Sequence, residues 1–110
     1  MTNAKTELFS GELQQAALFF KALSHPARLQ ILQFLAETKT CISGDISDEL
    51  PLGRTTVNQH LKELKDVELI TWHSEGIKTK YCLNPGKVEI LKQSLLKFLE
   101  SIETQNYKCE

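Results

Sequence analysis

The segment Ile46–Leu64, ISDELPLGRTTVNQHLKEL, constrains this chain more than any other. It reads as a short amphipathic helix, a tight turn around Pro51 and Gly53, and a second helix with two contrasting faces. In the second helix Val57, Leu61 and Leu64 recur at i, i+4 and i+7 and make one apolar stripe. Thr55, Asn58, Gln59 and Lys62 recur at i, i+3, i+4 and i+7 on the opposite side. A merely solvated face is usually filled with Glu and Lys, whereas this one carries hydroxyls and amides backed by a cation. Asn and Gln can bond an adenine edge in two places, and Thr can bond bases or phosphates. The pattern matches helix-turn-helix geometry, in which the second helix enters the major groove of DNA.

The 110 residues make a single domain, 1–110, large enough for a modest core that a dimer partner would enlarge. Hydrophobic residues at 41% and charged residues at 25% exclude a disordered chain. A net charge of -1 argues mildly against DNA binding, because phosphates reward cations, but local distribution matters more. Arg54, Lys62, Lys65, Lys78 and Lys80 gather on the reading helix and the strand region after it, while most acids fall elsewhere. No apolar run approaches the ~20 residues of a membrane span. MTNAKTELFSGEL has no apolar signal-like core, so a cytoplasmic protein is expected. Three cysteines without a signal then imply free thiols in a reducing compartment.

Along the chain, Met1–Ser10 is polar and expected to fray. From Gly11 to Leu23 the pattern is apolar nearly all round, which calls for burial on two sides, one of them against a second copy of the chain. Ser24 or His25 caps the next helix, with Pro26 in its first turn and Leu29, Ile31, Leu32 and Leu35 facing inward. Thr38–Ile42 is β-branched and reads as an edge strand. Asp45–Leu50 is the scaffold helix of the pair. Leu69–Trp72, a turn at Glu75–Gly76 and Ile77–Leu83 read as a hairpin, stopped by Asn84, Pro85 and Gly86. The last helix spans Lys87–Thr104, with Val88, Leu91, Leu95, Phe98, Leu99 and Ile102 as its stripe. The order is α-α-β-α-α-β-β-α: mainly α with a small antiparallel hairpin wing.

KALSHPARLQILQFL, SDELPLGRTTVNQHLKELKDVELI and KYCLNP, taken together, resemble the ArsR/SmtB family of dimeric winged helix-turn-helix repressors over about Leu18–Pro85. The resemblance implies that the first and last helices pair two subunits. It also implies that the helix from Arg54 reads an operator, that residues at about 70–83 form the wing, and that a metal, metalloid or redox signal releases the DNA. The expected DNA contacts are Arg54, Thr55, Thr56, Asn58, Gln59, His60, Lys62, Lys78 and Lys80, the last two meeting phosphates. Two positions depart from the family. Val67-Glu68-Leu69 replaces its usual Ala-Gly-Leu, so Glu68 takes a left-handed conformation at roughly 1 kcal/mol or the helix ends differently. Gly53-Arg54-Thr55 replaces Ser-Gln-Ser, placing a guanidinium where a guanine edge or phosphate could be met.

Arsenic-sensing members carry Cys-Val-Cys-Asp-Leu where this chain has Cys41-Ile42-Ser43-Gly44-Asp45-Ile46. Soft ions want two to four thiolates, which Cys41 alone does not supply. The strand near Thr40 is expected to pair with the wing strand holding Cys82, which could bring these two sulfurs together. Cys109 could add a third thiol. A thiophilic metalloid or metal is the candidate ligand of Cys41, Cys82 and Cys109, against a plain reading of two buried hydrophobes and a surface thiol. Lys87–Glu110 contains neither His nor Asp, so a zinc site on the last helix is not expected. His60, on the apolar side of its helix, suits packing or a phosphate better than a metal. There is no phosphate loop, Cys–His pair or carboxylate pair of catalytic spacing, so no enzyme is expected. A winged helix used for protein interaction without DNA remains the reading from another class.

Overall fold

The computed structural model describes residues 8–43, 46 and 50–109. Helix α1, Gly11–Ala22, begins where the Ser10 hydroxyl accepts the Leu13 amide at 3.2 Å, so Ser10 is a cap and not part of a frayed end. Helix α2, Pro26–Thr38, has His25 as its cap. Nδ1 of His25 accepts the Ala27 amide at 3.0 Å, and Pro26 takes the position where a missing N–H costs nothing. The helix runs to Thr38 and stops at Lys39, which is left-handed at φ 58°. Strand β1 is therefore Ile42–Ser43 and not Thr38–Ile42. The β-branched side chain of Thr38 fits the last helical turn because its hydroxyl donates to the Leu35 carbonyl at 3.0 Å. Of the α2 residues expected inside, Ile31 and Leu35 are buried and Leu32 is partly buried, but Leu29 is 45% exposed.

Most of the expected scaffold helix at Asp45–Leu50 lies outside the described residues; its described members Ile46 and Leu50 are buried. Helix α3, Arg54–Asp66, follows. Strands β2, Ile70–Glu75, and β3, Lys78–Leu83, form the hairpin, longer on its first arm than expected. Gly76 at φ 65° and Ile77 make a two-residue turn, so Ile77 sits at the tip and not in the returning strand. The sheet order is β1-β3-β2, antiparallel throughout, with Ile42 opposite Tyr81 and Thr71 opposite Cys82. Phe19, Ile31, Leu35, Ile46, Leu50, Val57, Leu61, Leu64, Leu69 and Ile70 fill one core beneath α3.

The end of α3 answers the Glu68 question. Glu68 is left-handed at φ 65°. Its amide bonds the Lys65 carbonyl at 2.8 Å, and the Leu69 amide bonds the Leu64 carbonyl at 3.1 Å. These are the paired bonds of a Schellman stop, formed without glycine at about 1 kcal/mol. Asn84 secures the loop by donating Nδ2 to the Glu68 carbonyl at 2.9 Å. Asn84 also caps helix α4, Pro85–Ile102, through Oδ1 and the Lys87 amide at 3.3 Å. Asn-Pro-Gly thus starts the last helix as well as ending the strand, for the same reason that Pro suits a first turn. Helix α4 lies on α1, with the Phe20 and Phe98 rings edge-to-face at 5.4 Å and Lys97 paired with Glu12 at 2.6 Å.

Candidate DNA-binding surface

Helix α3 divides as its spacing requires. Val57, His60, Leu61 and Leu64 are buried, whereas Arg54, Thr55, Thr56, Asn58, Gln59 and Lys62 are exposed. The core grips one side so completely that the other has a defined outward orientation. Lys62 forms an ion pair with Asp66 at 2.9 Å one turn on, which raises its pKa first through that hydrogen bond and then through the carboxylate charge. Both groups are well exposed, so the pair is weak enough for a phosphate to compete with it. Gly53 stands at the helix start without a capping side chain.

His60 is a correction. It was expected among the DNA contacts, but it is 8% exposed and lies on the inner face. Its Nδ1 accepts Arg28 Nε at 3.1 Å, and its ring is 4.2 Å from that of His25. Position 60 lies three residues after Val57 and four before Leu64, which puts it on the core side of α3, so its polar atom is satisfied internally. Arg28 is the functional candidate that sequence reasoning passed over. The available signal was an arginine just past a helix end, where unpaired carbonyls seek donors.

The hairpin stands beside α3. Trp72 and Tyr81 meet edge-to-face at 5.9 Å, and the Lys65 ammonium lies 5.0 Å from the Trp72 ring centre. This fixes the base of the wing to the reading helix by packing and a cation–π contact. Lys78 is exposed near the tip. Lys80 is about one-third exposed and pairs with Glu75 at 3.6 Å across the hairpin, so its charge is partly answered within the wing.

The cysteines also need a correction. Cys41 and Cys82 are joined in a disulfide with Cα atoms 4.3 Å apart, instead of standing as free thiols. The antiparallel register, Ile42 on Tyr81, carries Cys41 opposite Cys82. Bonded to each other, the two sulfurs are not thiolate ligands. Cys109 is free and exposed near the chain end. Among the described residues no group of three or more His, Cys, Asp or Glu is placed to hold a metal ion, and no helix is long and apolar enough to cross a membrane.

A helix with one face in the core and an outer face of hydroxyls and amides, flanked by a basic hairpin, defines a winged helix-turn-helix DNA-binding protein. A family model described as a helix-turn-helix domain matches residues 23–71. The arsenical resistance operon repressor of Staphylococcus xylosus is 30% identical over 96 residues, covering 87% of this chain and 88% of that protein. The uncharacterized HTH-type transcriptional regulator MJ1325 of Methanocaldococcus jannaschii is 36% identical over 80 residues, covering 72% of this chain and 90% of its own. The solution structure of the homodimeric winged helix-turn-helix DNA-binding domain of Mb0332 from Mycobacterium bovis has the same fold. Its TM-score is 0.63 at 24% identity, covering 99% of this chain and 97% of that one. The chain belongs to the ArsR/SmtB family of DNA-binding transcriptional repressors.

Proposed function

We propose that the chain is a cytoplasmic homodimer that binds a two-half-site operator. Arg54, Thr55, Thr56, Asn58 and Gln59 meet bases or the adjacent backbone, and Lys62, Lys78 and Lys80 meet phosphates. The observation that carries this reading is the outward face of α3, exposed from Arg54 to Lys62 on a helix whose other side is locked in the core. A repressor should prefer its operator over random DNA by ~10³-fold or more, whereas a protein-interaction module would bind DNA weakly and without preference. Asn58→Ala should cost ~1–3 kcal/mol on the operator and relax preference at one or two base pairs. Lys78→Ala should weaken all sequences alike and flatten the salt slope by about one unit. Fluorescence titrations on matched and scrambled duplexes measure both. Unchanged operator affinity in Asn58→Ala would remove α3 as the reader.

The dimer is supported by surface left uncovered on one copy. No residue of α4 is fully buried. Leu13 and Leu18 on α1 and Ile90, Leu96, Leu99 and Ile102 on α4 are each 43–59% exposed. A groove of about 410 Å³ between these helices is lined by Leu13, Ala16, Ile90 and Phe98. Apolar surface of this extent favours association.

The Cys41–Cys82 contact favours a second reading, in which the pair is also the sensor. Two thiols would pass two electrons and two protons to hydrogen peroxide, leaving a disulfide and two waters. The bond ties the entry to β1 to the wing strand β3. Peroxide-treated and thiol-reduced protein should then differ in operator affinity by about fivefold or more, and Cys41→Ser or Cys82→Ser should abolish the difference. Reduced protein offered As(III) tests the metalloid version. Cysteine variants that respond as the parent does would exclude both thiols.

A further inference from the structure

Arg28 stands in the first turn of α2 and reaches two ways. One terminal nitrogen donates to the carbonyls of Lys21 at 2.9 Å and Ala22 at 3.4 Å, at the end of α1. Its Nε donates to His60 Nδ1 on α3 at 3.1 Å. His25, the cap of α2, lies against the same His60 ring. The guanidinium therefore joins the Ser24 amide and hydroxyl on the Lys21 carbonyl, adds a donor to the Ala22 carbonyl, and clamps the middle of the reading helix. His60 follows Gln59 directly, so a shift of its ring moves the face that carries Asn58 and Gln59.

This clamp has a chemical condition. Arg28 stays charged and only donates. Nδ1 accepts only while it carries no proton, so the bond selects the neutral ring protonated at Nε2. A second proton would set N–H against N–H and put a new cation beside the guanidinium in a buried place.

We infer that Arg28 and His60 are positioning residues for DNA recognition, a joint that aligns the reading helix with α1 and α2 only while His60 is neutral. The inference rests on the reading of α3 as the DNA-contacting helix. The groups facing His60 are His25 and Arg28 from the α1–α2 corner and Glu63 from its own helix. Burial, then His25, then Arg28 hold the ring below the ordinary histidine range, and Glu63 opposes them. The folded protein thus binds fewer protons here than the unfolded chain. The joint's contribution is fully present above about pH 6.5 and is lost as pH falls from there through the depressed folded value.

The test uses the full chain and a fluorescent duplex that the protein selects from random-sequence DNA at neutral pH. Parent affinity should fall about threefold or more between about pH 7.5 and pH 5.0. His60→Asn places an acceptor oxygen near the former Nδ1 and does not titrate, so it should match the parent at the higher pH and keep that affinity at the lower. Arg28→Lys, which loses the fork, should bind about tenfold more weakly than the parent at the higher pH and lose little more at the lower, while remaining a folded dimer. Parent and His60→Asn sharing one pH profile would overturn the inference. So would an acid loss that persists in His60→Asn and vanishes in His25→Asn. If His60→Asn does not fold, nitrogen NMR of the parent decides. Nδ1 bare at neutral pH and protonated over the interval where affinity falls supports the joint, and Nδ1 protonated at neutral pH overturns it. Failure to select any duplex sinks the DNA reading and the joint with it, whereas a selected duplex bound equally at both pH values sinks the joint alone.

Discussion

Leu18→Glu combined with Leu99→Glu should leave a folded monomer that binds the operator about 10²–10⁴-fold more weakly than the parent. Leu18 is 58% exposed and Leu99 43% exposed on a single copy, so a carboxylate at either position still reaches water and the protomer keeps its core. Across a dimer contact the same carboxylates would be buried without partners, which opposes association strongly. The loss on DNA follows because one reading helix then works without the effective concentration supplied by the other. Sedimentation at micromolar concentration, circular dichroism and titration on a two-half-site duplex give the three readings. A variant that stays dimeric, or a monomer with parental affinity, would show that α1 and α4 are covered by something other than a second copy.

Leu64→Ala should cost about 2–5 kcal/mol and lower the melting temperature by about 10–25 °C. Leu64 is fully buried where α3 crosses the core, and its carbonyl anchors the stop at Glu68. The cavity has walls from several elements, which limits how far it can collapse. At low temperature the fraction that remains folded should bind DNA as the parent does, because the outer face is untouched. Asn58→Ala has the opposite profile: a stability change within about 0.5 kcal/mol and a large loss of binding. Scanning calorimetry paired with titration separates the two faces of the one helix. A melting temperature within a few degrees of the parent's would contradict the burial of Leu64.

Much of this division was legible in the residues. Val57, Leu61 and Leu64 against Asn58, Gln59 and Lys62 specify which side of α3 is gripped, because a helix repeats every 3.6 residues whatever packs on it. The hairpin was legible from β-branched and aromatic runs around Glu75–Gly76, and α1 from an apolar pattern too broad for one copy. Element ends were less so. Thr38 looked like a strand residue until its hydroxyl found the Leu35 carbonyl, and Asn84–Pro85 looked like a stop while serving as a cap. Such residues suit two local structures, and the neighbouring chain selects between them.

The sequence by itself determined the reading helix, its two faces, the wing and the family, since each depends on spacing along one stretch of chain. Only the tertiary structure decided what His60, Arg28 and the two cysteines do. His60 bonds Arg28 across 32 positions, and Cys82 lies 41 positions from Cys41. No local period records which residues meet across such distances. The packing of α2 on α3 and the register of β1 on β3 supply the missing coordinate, turning a nominal DNA contact into a buried joint and two nominal thiols into a bond.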